Sequence, residues 1–174
     1  MPSSGGDDGL VFLADIQTSK FSMRTATPMV ITDKASRAWA VEAGLSNADE
    51  QHFGLFDAGV LVARIALSSP AMSAHLHPPP CWSIGRVQVI DKLQCHWIAH
   101  QLVETIVGYR RAPLASDLDQ TNGGRAMWET LIRRNSGKVE LYGPQGNMGP
   151  ITGAPGAYNP APWQFDDRRL ILNP

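Results

Sequence analysis

An apolar run from Ser83 to Ile90, a short polar link and then apolar residues at helical spacing constrain this chain more than any other feature. The link ends in Gln94-Cys95-His96-Trp97-Ile98-Ala99, and the helical face that follows is Ile98, Ala99, Leu102, Val103, Ile106 and Val107. So broad a stripe must pack against a sheet. Strand, link and helix in this order leave the first turn of the helix open to an anion, because its amides lack intrahelical partners and the aligned peptide dipoles make that end positive. The ligand this arrangement suits carries phosphate.

The chain has 174 residues, enough for one domain with a real core. Apolar residues make up 43% and charged residues 18%, which argues against disorder. A net charge of -1 and a pI near 6.5 give no field that would gather a polyanion, so nucleic acid is excluded as the expected partner. Cys81 and Cys95 are too few for a disulfide framework. The start, Met1 to Asp8, has no basic and apolar leader pattern, and no run reaches the roughly 18 apolar residues of a membrane span. The expected setting is a cytoplasm with free thiols, no membrane, and a chain that folds alone or as a small oligomer such as a homodimer.

Residues 1–9 read as a flexible tail, 143–174 as a Gly/Pro-rich extension with a terminal strand, and 10–142 as the domain proper. Asp33 is placed to cap a helix from Lys34 to Ala43, with Ala35, Ala38 and Trp39 on one face and Gly44 as its stop. His52 to Phe56 and Val60 to Leu67, parted by Asp57-Ala58-Gly59, form a hairpin. Leu61, Ala63, Ile65 and Leu67 alternate with Val60, Val62, Arg64 and Ala66, so both faces of the second strand are mostly apolar, as in a central strand. Ser68 to Pro80 is a loop. After the helix from Trp97 to Tyr109 come an extended piece, Ala112 to Ala115, and a helix from Asn122 to Arg134 with Met127, Trp128, Leu131 and Ile132 inward and a Glu129–Arg133 pair. Lys138 to Tyr142 and Arg168 to Asn173 are strands. Five glycines and five prolines between Gly143 and Pro162 exclude regular structure there.

The plan is α/β or α+β, and from Asp33 to Tyr142 it resembles the GNAT superfamily of N-acetyltransferases, with a central mixed, mostly antiparallel sheet flanked by helices. Gln94 to Ala99 is similar to that family's Gln/Arg-x-x-Gly-x-Gly/Ala pyrophosphate loop, and Gly124 to Leu131 to its late helix. The order Ser116-Asp117, Gly123-Gly124, Trp128 resembles divergent, often phage-encoded members. The resemblance implies acetyl-coenzyme A as cofactor, with the strand Ser83 to Ile90 splayed from its neighbour so that its backbone groups pair with the pantetheine arm. It implies Gln94, His96, Trp97, Ile98 and Ala99 around the pyrophosphate, mainly through backbone N–H groups, with Val87 and Val89 beside pantetheine. Trp97 stands where the family has its first glycine, and the indole either turns outward as a lid, impairs the site, or packs in the core. Trp128 stands where the family often has a tyrosine acid, and an indole N–H cannot serve as one.

For attack of an amine on a thioester, Asp117 is the candidate base and Ser116 the candidate donor to the leaving sulfur, although Ser and Asp also begin turns. The partner is an amine of a small molecule or a protein. Two alternatives stay open: a catalytically impaired binding protein or effector that engages a cellular enzyme, and a metal-dependent hydrolase using His75, His77, Cys81, Cys95 or His96. No pair among the latter has a tight ligand frame, so no metal site is expected. Arg110 and Arg111 could steer a phosphate or simply terminate a helix.

Overall fold

The computed structural model describes residues 6–70, 81–117, 122–151 and 168–174. Helix α1 (Gly6–Lys20) leads into strands β1 (Thr25–Thr32), β2 (Ala38–Ala43), β3 (Glu50–Asp57), β4 (Val60–Ser68) and β5 (Trp82–Val89). Helix α2 (Ile98–Arg110), the short β6 (Leu114–Ala115), helix α3 (Asn122–Arg134), and strands β7 (Val139–Gly143), β8 (Gly146–Pro150) and β9 (Arg169–Leu172) follow. The strands form one sheet in the order β1-β2-β3-β4-β5-β6-β9-β7-β8. Every described pairing is antiparallel except β5 with β6. The fold is α+β, and among the described residues no helix is long and apolar enough to cross a membrane.

The β3–β4 hairpin forms as its turn dictates. Asp57 pairs with Val60, and Ala58 and Gly59 both take positive φ (48° and 82°), the twist that suits two antiparallel strands. β4 is buried along most of its length between β3 and β5, as its two-sided apolar pattern requires. α2 buries Ile98, Leu102, Val103, Ile106 and Val107, each worth about 1.5–3 kcal/mol of apolar transfer. The inward face of α3 is Met127, Trp128, Leu131 and Ile132, which puts Trp128 in the core at 2% exposure. Its cations pair elsewhere than expected: Arg134 Nε donates to Glu104 Oε1 of α2 (3.0 Å), and Arg133 Nη2 donates to Thr130 Oγ1 (3.3 Å).

Two expectations are corrected. Lys34 to Ala43 is a turn followed by β2, because Asp33 ties the link between β1 and β2. Its Oδ1 accepts from the amides of Ala35 and Arg37 (2.9 Å each) and its Oδ2 from Trp39 Nε1 (3.0 Å). Those bonds hold a hairpin turn, and the backbone of Ala38 to Ala43 then pairs with β1. Within the Gly/Pro-rich extension, Gly146 to Pro150 forms β8 against β7, since glycines with positive φ at 146 and 149 turn and bend the chain without steric cost. Residues 152–167 lie outside the described residues, as does the loop at 71–80 with His75 and His77.

The end of α1 is locked onto the β2–β3 link. Phe21 stacks edge-on against His52 and Phe56, and Leu45 N–H donates to Lys20 O (2.7 Å). A Cβ on Gly44 would lie 2.5 Å from Lys20 O and 2.8 Å from the Phe21 ring. Gly44→Ala is therefore expected to lower the unfolding free energy by about 1–3 kcal/mol, whereas Gly108→Ala, in open space on α2, should raise it by up to about 1 kcal/mol; chemical denaturation reads both. The three bonds to Asp33 hold its carboxyl below its ordinary value of 3.8, the indole of Trp39 contributing most. A depressed acid stabilises the fold above that value and loses the contribution as pH falls through the lower, folded one. Asp33→Asn should thus be less stable than the wild type near neutrality, with the gap narrowing as pH falls below the ordinary carboxyl value, a comparison that thermal melts across acidic and neutral pH will make.

Candidate functional site

β5 and β6 are parallel, and they touch at two residue pairs, Trp82 with Leu114 and Ser83 with Ala115. Beyond Ser83 the outer edge of β5 has no strand partner among the described residues, and Gly85, Val87, Gln88 and Val89 are half-buried. A bulge accompanies the parting. The register with β4 jumps from Ala66–Arg86 to Leu67–Ile84, leaving Gly85 as an extra residue that bends β5.

At the far end of that edge the chain makes a 3-10 turn (Asp91–Leu93) and enters α2 through residues 94–97. Cys95 and Trp97 both take left-handed backbone conformations, with φ of 64° and 68°. A side chain at such φ is strained by about 1–2 kcal/mol, and strain of this kind collects at functional sites. Trp97 heads α2 without any side-chain cap, the first turn carries no acidic residue, and Gln101 N–H donates to Trp97 O (3.2 Å). The amides of Ile98, Ala99 and His100 precede that bond in the helix and so have no intrahelical acceptor. The β1–β2 turn braces the loop from below, where Lys34 N–H donates to His96 O (3.2 Å).

The residues singled out in the sequence separate into two groups. Val87, Val89 and Gln94 line one groove of about 780 Å³ with Leu13, Val60, Val62, Gln88 and Lys92. Gln94 is exposed, and its Nε2 donates to Asp91 Oδ1 (2.8 Å), which closes the 3-10 turn. His96 is half-buried, and its Nδ1 has no hydrogen-bond partner among the described residues. Trp97 is 50% exposed, so the core position considered for it is set aside. The Ile98 side chain is core, and Ala99 packs against that core, leaving only their amides for a ligand.

Ser116 and Asp117 lie just past the fork, at the end of β6. Ser116 is wholly buried: its amide donates to Leu170 O (2.7 Å), and its Oγ accepts from Leu170 N–H (3.0 Å). That hydroxyl serves the β6–β9 ladder. Asp117 is exposed. Arg110 and Arg111 end α2, about 20 Å from its first turn by helix length. Arg110 Nη1 donates to Gln51 Oε1 and its guanidinium lies 4.8 Å over the Trp82 ring, so the side chain is a packing element. Among the described residues no three of His, Cys, Asp or Glu gather into a metal-sized group.

Several polar residues of the fork went unremarked in the sequence. Arg64, 4% exposed, donates from Nε to Gln88 Oε1 (2.5 Å), and Arg169, also 4% exposed, donates from Nη1 to Ser83 Oγ (3.1 Å). The signal for Arg64 was present, since a charged residue interrupts an otherwise apolar central strand. Arg125, in the first turn of α3, has a buried Nε with no partner among the described residues. Both α2 and α3 follow parallel strands that end at the same side of the sheet, so their first turns open on that one side.

Comparison of the chain with protein-family models, with curated proteins and with solved structures finds no match in any of the three.

Proposed function

We propose that this chain is an acyl-coenzyme A-dependent N-acyltransferase of the GNAT kind, moving an acetyl group from acetyl-coenzyme A to an amine. One observation carries the reading: two parallel strands that pair at Trp82–Leu114 and Ser83–Ala115 and then part, with an uncapped helix start at the open end of the gap. In the GNAT plan such a fork is where the pantetheine arm adds to the strand edge. The edge of Gly85 to Gln88, without a strand partner among the described residues, offers the matching backbone groups, and Val60, Val62, Val87 and Val89 offer apolar walls. The unshared first-turn amides of α2 supply donors that fit a diphosphate. The left-handed backbone of Trp97 is the conformation that a glycine at this position would adopt, which supports the loop likeness despite the changed side chain.

Bound there, coenzyme A would supply a thioester, an acyl group on a good leaving sulfur. The chain's own contribution is to orient it and to move a proton. Exposed Asp117 would take the proton that the amine loses on acylation, while the bound thioester would supply the acyl group and a sulfur leaving group protonated from solvent. Ser116, engaged with Leu170, is not assigned a part in this step. The burial of Ser116 and of Trp128, at the position of the family's acid, favours a second reading, in which the fold binds coenzyme A or a protein partner without turnover.

Acetyl-coenzyme A at a hundred times its Kd should raise the unfolding free energy by about 2.7 kcal/mol, seen as a thermal shift. No shift at millimolar cofactor would reject the reading. Trp97→Gly removes a half-exposed ring and a strained φ, so its own melting point should hold or rise, where a core tryptophan would cost about 3–5 kcal/mol. Its cofactor-induced shift should exceed that of the wild type. With an amine that is turned over, Asp117→Ala should lower kcat by about 10²–10⁴ and leave acetyl-coenzyme A affinity unchanged, while undiminished turnover would select the reading without catalysis.

A further inference from the structure

One face of the fork carries three arginines, and the register fixes their company. Arg64 pairs with Gln88, and Ala66 with Arg86, so Arg64, Arg86 and Gln88 share a face of β4 and β5. Past the bulge Ser68 pairs with Ser83, which pairs with Ala115, which pairs with Ile171; Arg169 stands two residues before Ile171 and joins the same face. Its bond to Ser83 Oγ closes the strip at the point where β5 and β6 part.

Arg169 is the unusual member. Its side chain is nine-tenths buried or more, it forms no ion pair among the described residues, and its one hydrogen-bond partner is a neutral hydroxyl. Nε is buried without a partner. A guanidinium has five N–H donors, and a buried cation is normally matched by an anion in good geometry. With Nη1 turned to Ser83, the edge made by Nε and Nη2 is left over. That edge carries two parallel N–H bonds, the pattern a carboxylate accepts with both oxygens. Burial weakens the hold of Arg169 on its proton, and the fields of Asp117 and the Cys81 side chain strengthen it in part. An anion seated on that unpartnered edge would complete that compensation.

We propose that Arg169, oriented by Ser83, receives a carboxylate of the reacting pair at the base of the β5–β6 fork. The source of that carboxylate rests on the acyltransferase reading: it belongs either to a dicarboxylic acyl chain on coenzyme A or to an amino-acid acceptor. The chemistry rests on the guanidinium alone. Arg86, exposed on the same face, and Arg64 extend a cationic approach to it.

Isothermal titration of the full chain tests this with two pairs of probes: succinyl-coenzyme A against acetyl-coenzyme A, and glycine against glycinamide. The carboxylate-bearing member of one pair should bind about ten-fold tighter or more, and Arg169→Lys, which keeps the charge and loses the paired donors, should abolish the preference. The pair that shows it identifies the source. Should the lysine variant fail to fold, Ser83→Ala, which removes the orienting hydroxyl, is expected to reduce the preference about three-fold. Equal affinities within both pairs, or a preference untouched by Arg169→Lys, would overturn the assignment. A glycine preference without acetyl-coenzyme A binding would keep the carboxylate site and reject the acyltransferase; acetyl-coenzyme A binding with no preference would do the reverse.

Discussion

A single loss of hydrogen bonding organises this molecule. At Ser83 β5 has a neighbour on each side, and from Gly85 onward it keeps only β4 among the described residues. A strand edge in the middle of a sheet is costly unless its amides and carbonyls find partners, since buried backbone groups are almost always paired. The bulge at Gly85 turns the strand, the exposed side chain of Arg86 brings water to the edge, and half-buried Val87 and Val89 keep the other face on the core. The gap survives because the chain beyond it is tied firmly: α2 buries its apolar stripe, and Ser116 and Leu170 lock β6 to β9 by bonds through both backbone and hydroxyl.

The parts of this design that a reader of the sequence can find are those enforced by local chemistry. Asp57-Ala58-Gly59 admits little besides a tight hairpin, and the 3.6-residue stripes of α2 and α3 leave no competing period. The misreading of 34–43 has a definite origin. Ala35, Ala38 and Trp39 are spaced as on a helix, and Asp33 is a good helix cap, yet the same carboxylate also satisfies a turn and an indole six residues on, which only the paired strands bring within reach. Spacing alone cannot separate those outcomes. β8 was hidden for a different reason, since glycines that weaken a strand in general permit one here by supplying its bends.

The candidate site was legible as a location and not as a set of contacts. A polar link between an apolar strand and an amphipathic helix pointed to residues 94–99 without any help from three-dimensional pairing. What spacing could not reveal was that Trp97 keeps a left-handed backbone while its ring is half-exposed, because the sequence leaves an outward lid, a blocked site and a core position all open for a tryptophan there. Nor could it reveal Arg169, which reaches Ser83 across 86 residues of sequence. Long-range polar pairs of this sort leave no periodic trace.

These two residues explain each other's place in the fork. At the loop end Trp97 takes a positive φ, where side chains are disfavoured, and at the base Arg169 holds a cation away from water, which disfavours the charged form. Both features are unfavourable to the isolated fold. On the proposed reading, a diphosphate on the helix amides at one end and a carboxylate on the guanidinium at the other, on one ligand or two, would offset those costs. On that reading a chain of net charge -1 would still select an acidic ligand, because the field at the cleft would be set by helix amides and a few buried guanidiniums, not by the total.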